Sequence, residues 1–180
     1  MTLDPSCTIE DVAFIVGSTL DAAGIVAVLS GGGAATIYAP EAKKTEDLDF
    51  ILALSMTDSM PSDAPILGLG FEREGRSGMY RHPNIRITLE FPTGPLAVGG
   101  EVIEKWETLR RGPMVLNVIS PTDCVKDRMA AAIHWKDFDS IRQASEVAKR
   151  HPVDLDAVRK WCEAEGGLRQ FEALRQSISG

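Results

Sequence analysis

Apolar residues fall three or four apart from the start of the chain, at Val12, Ile15, Val16, Leu20 and Ala23. That spacing lines one face of a helix. Thr8 with Asp11 forms a variant of the capping box, and Gly24 is a suitable stop, so a helix is expected over 8–23. An unbroken apolar run, 25–29, then predicts a buried strand leading into Ser30-Gly31-Gly32-Gly33. Those four residues are expected to form a loop, followed by one or two helical turns over 34–38 that end before Pro40. A second strand is expected over 47–54. Residues 55–70, rich in Ser, Asp, Pro and Gly, read as a loop holding at most a short helix. Weaker strand signals lie at 71–73 and 79–80. The clearest alternation is Ile85, Ile87, Leu89 and Phe91 on one face against Arg86, Thr88 and Glu90 on the other. Residues 92–100 read as a Pro/Gly loop and 114–119 as a last strand.

From Ser120 the period changes. Ser120-Pro121-Thr122-Asp123 joins a cap, a first-turn proline and an acidic third position, which opens a helix. Stripes at Val125, Met129, Ala132 and Ile133, at Phe138, Ile141, Ala144 and Ala148, and at Leu155, Val158, Trp161 and Cys162 predict helices to 178. The expected fold class is α+β: a small mixed sheet flanked by helices over 1–119, with a helical region, 120–180, packed on it.

Composition narrows the class of function. The 180 residues are 44% hydrophobic and 25% charged, values of an ordinary globular domain. No apolar run reaches the roughly 18 residues of a membrane span, so no membrane partner is expected. The acidic start lacks a basic leader, and Cys7, Cys124 and Cys162 show no CxxC spacing. Reduced thiols and a cytoplasmic location are the expectation. Residues 1–120 hold 9 Lys and Arg against 16 Asp and Glu, a net of −7, whereas 121–180 hold 10 of each. A bulk electrostatic grip on nucleic acid therefore has no support.

The chemistry-bearing pattern is Asp47-Leu48-Asp49 on the second strand. Period two puts both carboxylates on one face, with Cα atoms roughly 6.5–7 Å apart. Read alone, the pair suits either a solvated strand end or a site for divalent cations, which prefer oxygen ligands. Glu90, on the polar face of its strand, stands beside the pair if the two strands are neighbours. Three consecutive glycines are costly in backbone entropy and suit a place where the chain approaches something closely. The stretch fails as a Rossmann fingerprint, because Thr36 holds the third glycine position, and as a Walker A loop, because no Gly-Lys-Ser/Thr follows.

Strand, Gly-Gly turn, short helix and then Lys43-x-Thr45-x-Asp47-Leu48-Asp49-Phe50 resemble the nucleotidyltransferase superfamily with the DNA polymerase β type core. Within it, the pattern is most similar to abortive-infection-type toxin nucleotidyltransferases. Ser120-Pro121-x-Asp123 opening an Ala-rich helix, with Asp137-Phe138 opening the next, is similar to that family's second region. The resemblance implies that Ser30, Gly31, Gly32, Lys43 and Thr45 bind the nucleotide, and that Asp47, Asp49 and Glu90 are catalytic and hold Mg2+ or Mn2+. The family's helix lysine falls by spacing on Arg128, with Lys126 one step off, and Asp137 is the other second-region candidate. The implied activity moves a nucleoside monophosphate from an NTP to a hydroxyl of RNA, protein or a small molecule. Departures from the pattern are Arg128 for Lys, His134-Trp135-Lys136 where an arginine usually precedes the tail aspartate, and Glu for the third Asp. They keep open an alternative: a catalytically degenerate binding or partner-recognition module, as in a toxin–antitoxin system with an antitoxin-type protein partner.

Overall fold

The computed structural model describes residues 3–42, 45–53, 60–75 and 78–180. It is a mixed α+β fold, with seven helices and nine strands among the described residues. The first half contains α1 (Ile9–Ala22), β1 (Ala27–Ser30), α2 (Gly31–Tyr38), β2 (Asp47–Leu52), α3 (Ala64–Gly68), β3 (Glu72–Glu74), β4 (Met79–His82) and β5 (Ile85–Glu90). Then follow β6 (Ala97–Val98), β7 (Glu101–Val102), β8 (Glu107–Arg111), β9 (Met114–Val118), α4 (Pro121–His134), α5 (Asp139–Arg150), α6 (Leu155–Ala164) and α7 (Leu168–Ser179). Seven strands form one sheet in the order β3-β4-β5-β2-β1-β9-β8, and β6-β7 is a separate hairpin. No helix among the described residues is long and apolar enough to cross a membrane.

One sheet face is apolar at its centre, with Arg73, Glu107 and Arg111 on it only in the edge strands. Leu29 is registered with Phe50 on one side and Val118 on the other, and Leu48 with Leu89; all five are fully buried. Helices α1 and α2 press on this face through glycines. A Cβ on Gly17 would stand 3.0 Å from Leu116, and one on Gly33 would stand 2.9 Å from Leu48. The opposite face carries Asp47 and Asp49, as period two requires. Helix α1 begins as its sequence indicates: the Thr8 hydroxyl accepts from the Asp11 N–H at 3.1 Å, and the Asp11 carboxylate accepts from the Thr8 N–H at 2.9 Å.

Three local expectations differ from the structure. The glycine run is not a loop, because α2 starts at Gly31 directly after β1. Gly31 takes φ +65, a left-handed turn that lets a strand become a helix with no connecting residues. Residues 92–100 are not all loop, since β6 opens a hairpin that docks on α6: Trp161 Nε1 donates to the Val98 carbonyl at 3.1 Å. Strand β8 lies where no strand is expected. Its one apolar residue, Leu109, gives no alternation, and it is held at the sheet edge by β9 and by Arg111. That guanidinium pairs with Asp11 at 2.8 Å and covers the Phe14 ring at 4.8 Å.

Polar bonds tie the end of β9 to α2, and α2 to the helical region. Tyr38 Oη donates to the Ile119 carbonyl at 2.8 Å, and His151 Nε2 donates to the Tyr38 carbonyl at 2.8 Å. A single set of buried apolar side chains runs from Val12 through Leu29 and Leu48 to Met129, Val147 and Leu174.

Candidate active site

Parallel pairing of β2 with β5 sets Asp47 opposite Thr88 and Asp49 opposite Glu90. Ladder partners share a face, so Asp49 and Glu90 are direct neighbours and Asp47 lies two residues along the same face. On the other side of β2, antiparallel pairing sets Ser30 opposite Asp49. The Ser30 hydroxyl donates to the Asp49 carbonyl at 3.4 Å. Gly31 comes next, at the point where β1 becomes α2. A Cβ there would stand 2.2 Å from Asp49 Oδ2, so the absent side chain is what makes room for this carboxylate.

The second wall of the site is Arg128, from the middle of α4. Its side chain is only 13% exposed. Asp127 Oδ2 accepts from Arg128 Nε at 3.0 Å and from Nη2 at 2.6 Å. With that edge anchored, Nη1 lies 3.7 Å from where a Gly32 Cβ would be, and Thr45 Oγ1 lies 3.5 Å from the same point. Thr45 also accepts from the Asp47 N–H at 3.3 Å, which fixes the entry to β2.

The electrostatics combine burial with surplus negative charge. Burial, followed by the neighbouring Glu90 and Asp127 carboxylates, pushes the Asp49 carboxyl up to about 6, with Arg128 acting in the opposite direction. Carboxylates crowded in a partly buried site resist ionisation together. An all-oxygen set with surplus negative charge fits a hard divalent cation, and Asp49, Glu90 and Asp47 are the residues that would hold one. Among the described residues no group of three or more His, Cys, Asp or Glu side chains is already gathered about a single point.

The structure thus brings together Ser30, Gly31, Gly32, Thr45, Asp47, Asp49, Glu90 and Arg128. Lys43 lies outside the described residues. Lys126 is directed elsewhere: its ammonium pairs with Glu101 of β7 at 2.5 Å and with Asp123 at 3.9 Å. Two residues along a helix is about 200° of rotation, so Lys126 and Arg128 cannot serve one site. Asp137 accepts from the Ser140 hydroxyl at 2.8 Å, at the first turn of α5. Asp127 is the residue that sequence reasoning missed. Its one signal is an acidic side chain placed directly before Arg128.

Asp127→Ala is expected to release the guanidinium edge and destabilise the fold by about 1–3 kcal/mol, the usual consequence of orphaning a poorly exposed charged donor. Asp127→Asn, which keeps an acceptor oxygen, should lose less. Urea unfolding of both variants tests the anchor, and equal stability to the wild type would refute it.

No protein-family model, no curated protein and no solved structure matches this chain.

Proposed function

We propose that the protein is a metal-dependent nucleotidyltransferase of the toxin-like class, moving a nucleoside monophosphate from an NTP to a hydroxyl of RNA, protein or a small molecule. The observation that carries this reading is the junction where Asp49 meets Glu90 on one side and Gly31 on the other. Carboxylates and a closely approached backbone turn, with a guanidinium opposite, are the groups that a polyphosphate and its counter-ions require.

In this reading the triphosphate lies along Gly31 and Gly32. Backbone N–H groups at the start of α2 donate to phosphate oxygens, and the free edge of Arg128 reaches the phosphate oxygens with directed donors. Mg2+ or Mn2+, when bound by Asp47, Asp49 and Glu90, supplies charge neutralisation and lowers the pKa of the attacking hydroxyl. The acceptor oxygen forms a bond to the α-phosphorus as the bond to the bridging oxygen breaks, and pyrophosphate leaves. Glu90 orients the attacking hydroxyl and takes its proton.

A degenerate member of the same fold, acting as a partner-recognition module, is the second reading. It is favoured by one feature: Asp127 already takes two nitrogens of the Arg128 guanidinium, Nε and Nη2, and leaves only Nη1 toward Gly32.

Purified protein incubated with each labelled NTP, Mg2+ or Mn2+ and a cell extract separates the two. Label transferred to an acceptor, and reduced by roughly 10³-fold or more in Asp49→Ala, as expected for loss of an essential electrostatic group, supports the enzyme. Absence of transfer from all four NTPs, with no NTP-dependent rise in melting temperature, would leave the binding module.

A further inference from the structure

Two measures place the turn between α4 and α5 in front of the candidate site. Tyr38, at the end of α2, bonds the Ile119 carbonyl just before α4, whereas Gly32, at the start of α2, lies against Arg128. The two helices therefore run in opposite directions. At 1.5 Å per residue, Trp135 lies roughly 10 Å past Arg128, beyond the start of α2. Helix α5 agrees from the other side. Its end meets the end of α2 through the bond from His151 to the Tyr38 carbonyl. From there α5 reaches back roughly 18 Å to Asp139, against roughly 10 Å from Tyr38 to Gly31. Both measures leave residues 135–138 beyond the α2 N-terminus, the end that turns against Asp49.

Trp135 shares the helix face of Arg128, because seven residues are close to two full turns. Its N–H donates to the Ala131 carbonyl at 3.1 Å, so helical geometry reaches it. The Cα–Cβ bond of a helical residue slants toward the helix N-terminus, which starts the indole back toward Arg128. It is 76% exposed, whereas Trp161 is 2% exposed and bonded to Val98. A second feature marks the same spot. Lys136 has φ +57, the one positive φ at a non-glycine among the described residues. Glycine ordinarily takes that place after a helix. Left-handed backbone at a larger residue is strained, and such strain collects at ligand clamps. Here it ends α4 directly after Trp135, so no further turn covers the indole, and the Asp137 N–H closes on the Ala131 carbonyl at 3.2 Å.

The surroundings of the indole select a flat ring as its occupant. Its chain neighbours are polar: His134, whose imidazole lies 3.0 Å from Glu165, and Lys136. Phe138, the other exposed aromatic of this turn, lines a groove between α5 and α7 of which Trp135 is not a wall. The core of a protein interface needs several apolar side chains packed together. A single aromatic face set among polar residues suits stacking instead, which a nucleobase supplies whatever its identity.

We propose that Trp135 is the stacking platform for the nucleobase of the incoming NTP, whose triphosphate lies against Gly31, Gly32 and Arg128. This subsite rests on the nucleotidyltransferase reading and adds to it the residue that holds the base. The phosphates are gripped at the start of α2, and the base is held two helical turns further along the face of α4 that carries Arg128.

The test titrates the protein, with Mg2+ present, with the α,β-methylene analogues of the four NTPs. Carbon replaces the bridging oxygen in these probes, so binding is read without transfer. Calorimetry gives the affinity, and tryptophan emission is followed in parallel. At least one analogue is expected to bind and to quench the emission, and Trp135→Leu should lose the quenching. That variant should bind the analogue roughly 10-fold or more weakly, as expected when a stacked base loses its aromatic partner. Trp135→Phe should recover part of the affinity. Inorganic tripolyphosphate, which carries no base, should not distinguish wild type from Trp135→Leu. The two should also melt together, since the indole is largely exposed. Equal analogue affinity in wild type and Trp135→Leu would overturn the platform and leave the nucleotidyltransferase reading standing. Weaker tripolyphosphate binding or earlier melting of Trp135→Leu would mean a structural role and overturn it as well. Binding of none of the four analogues by the wild type would remove both the platform and the reading beneath it.

Discussion

Asp47→Ala combined with Asp49→Ala is expected to raise the melting temperature of the metal-free protein at neutral pH while abolishing transfer. The reason lies at Asp49, whose carboxyl is penalised first by burial and then by Glu90 across the ladder, with Asp127 and Asp47 nearby and Arg128 as the opposing cation. Its carboxyl is raised to about 6 from 3.8, so the folded state holds a proton more tightly than the unfolded chain. Stability therefore falls as pH rises from about 4 to about 6, and the full penalty is present above that window. A shift of this size corresponds to about 3 kcal/mol at most, and partial solvation of the site leaves about 1–2 kcal/mol. For a chain of this length that is a rise of roughly 2–8 °C on removing the charges. The double variant should also lose the downward slope of stability between pH 4 and 6.

Mn2+ at millimolar concentration should raise wild-type melting through linkage, by about 1.4 kcal/mol when the ion is at ten times its dissociation constant. It should leave the double variant unchanged. Thermal melts across pH 4–8, with and without the ion, give both readouts. A double variant melting well below the metal-free wild type, with no ion response in either protein, would mean that the aspartates are structural and would remove the catalytic assignment.

Gly31→Ala is expected to damage stability and activity together. The backbone at Gly31 has φ +65, where an L side chain costs roughly 1–2 kcal/mol. The added Cβ would also stand 2.2 Å from Asp49 Oδ2, so the carboxylate must rotate away from its place beside Glu90. Displacing a reacting group by about 1 Å lowers rates by roughly 10²-fold. Gly24→Ala is the control, since Gly24 has φ +73 but nothing within 4 Å of its Cβ position; it should show the backbone cost alone. In an Asp49→Ala background, Gly31→Ala should likewise fall to that cost, a non-additivity measurable by a double-mutant cycle. Gly31→Ala with wild-type melting and transfer would show that this contact does not shape the site.

Local signals carried much of the fold into the sequence. The capping residues Thr8 and Asp11, the apolar run before Ser30, the alternation through Ile85–Phe91 and the Ser120-Pro121 helix start all depend on neighbours within four residues. The elements that went unread depend on distant ones. Strand β8 carries a single apolar residue and exists because β9 offers it a ladder and Arg111 a partner in α1. The 97–102 hairpin is held by Trp161, some sixty residues later, which donates to the Val98 carbonyl at the end of β6. The glycine run reads as a loop because nothing local indicates that Gly31 can turn a strand into a helix without one.

The site divides in the same way. That Asp47 and Asp49 share a face opposite Leu48 and Phe50 follows from the two-residue period of any strand, and it was determined by sequence alone. That Glu90 is the partner of Asp49 required parallel pairing of strands about forty residues apart, a choice made by burying Leu48 against Leu89. The place of Arg128 above Gly32, and of Trp135 beyond it, was decided only when α4 packed antiparallel along α2. Periodicity states which residues travel together on one element; which elements meet is settled by how their apolar faces close over one core.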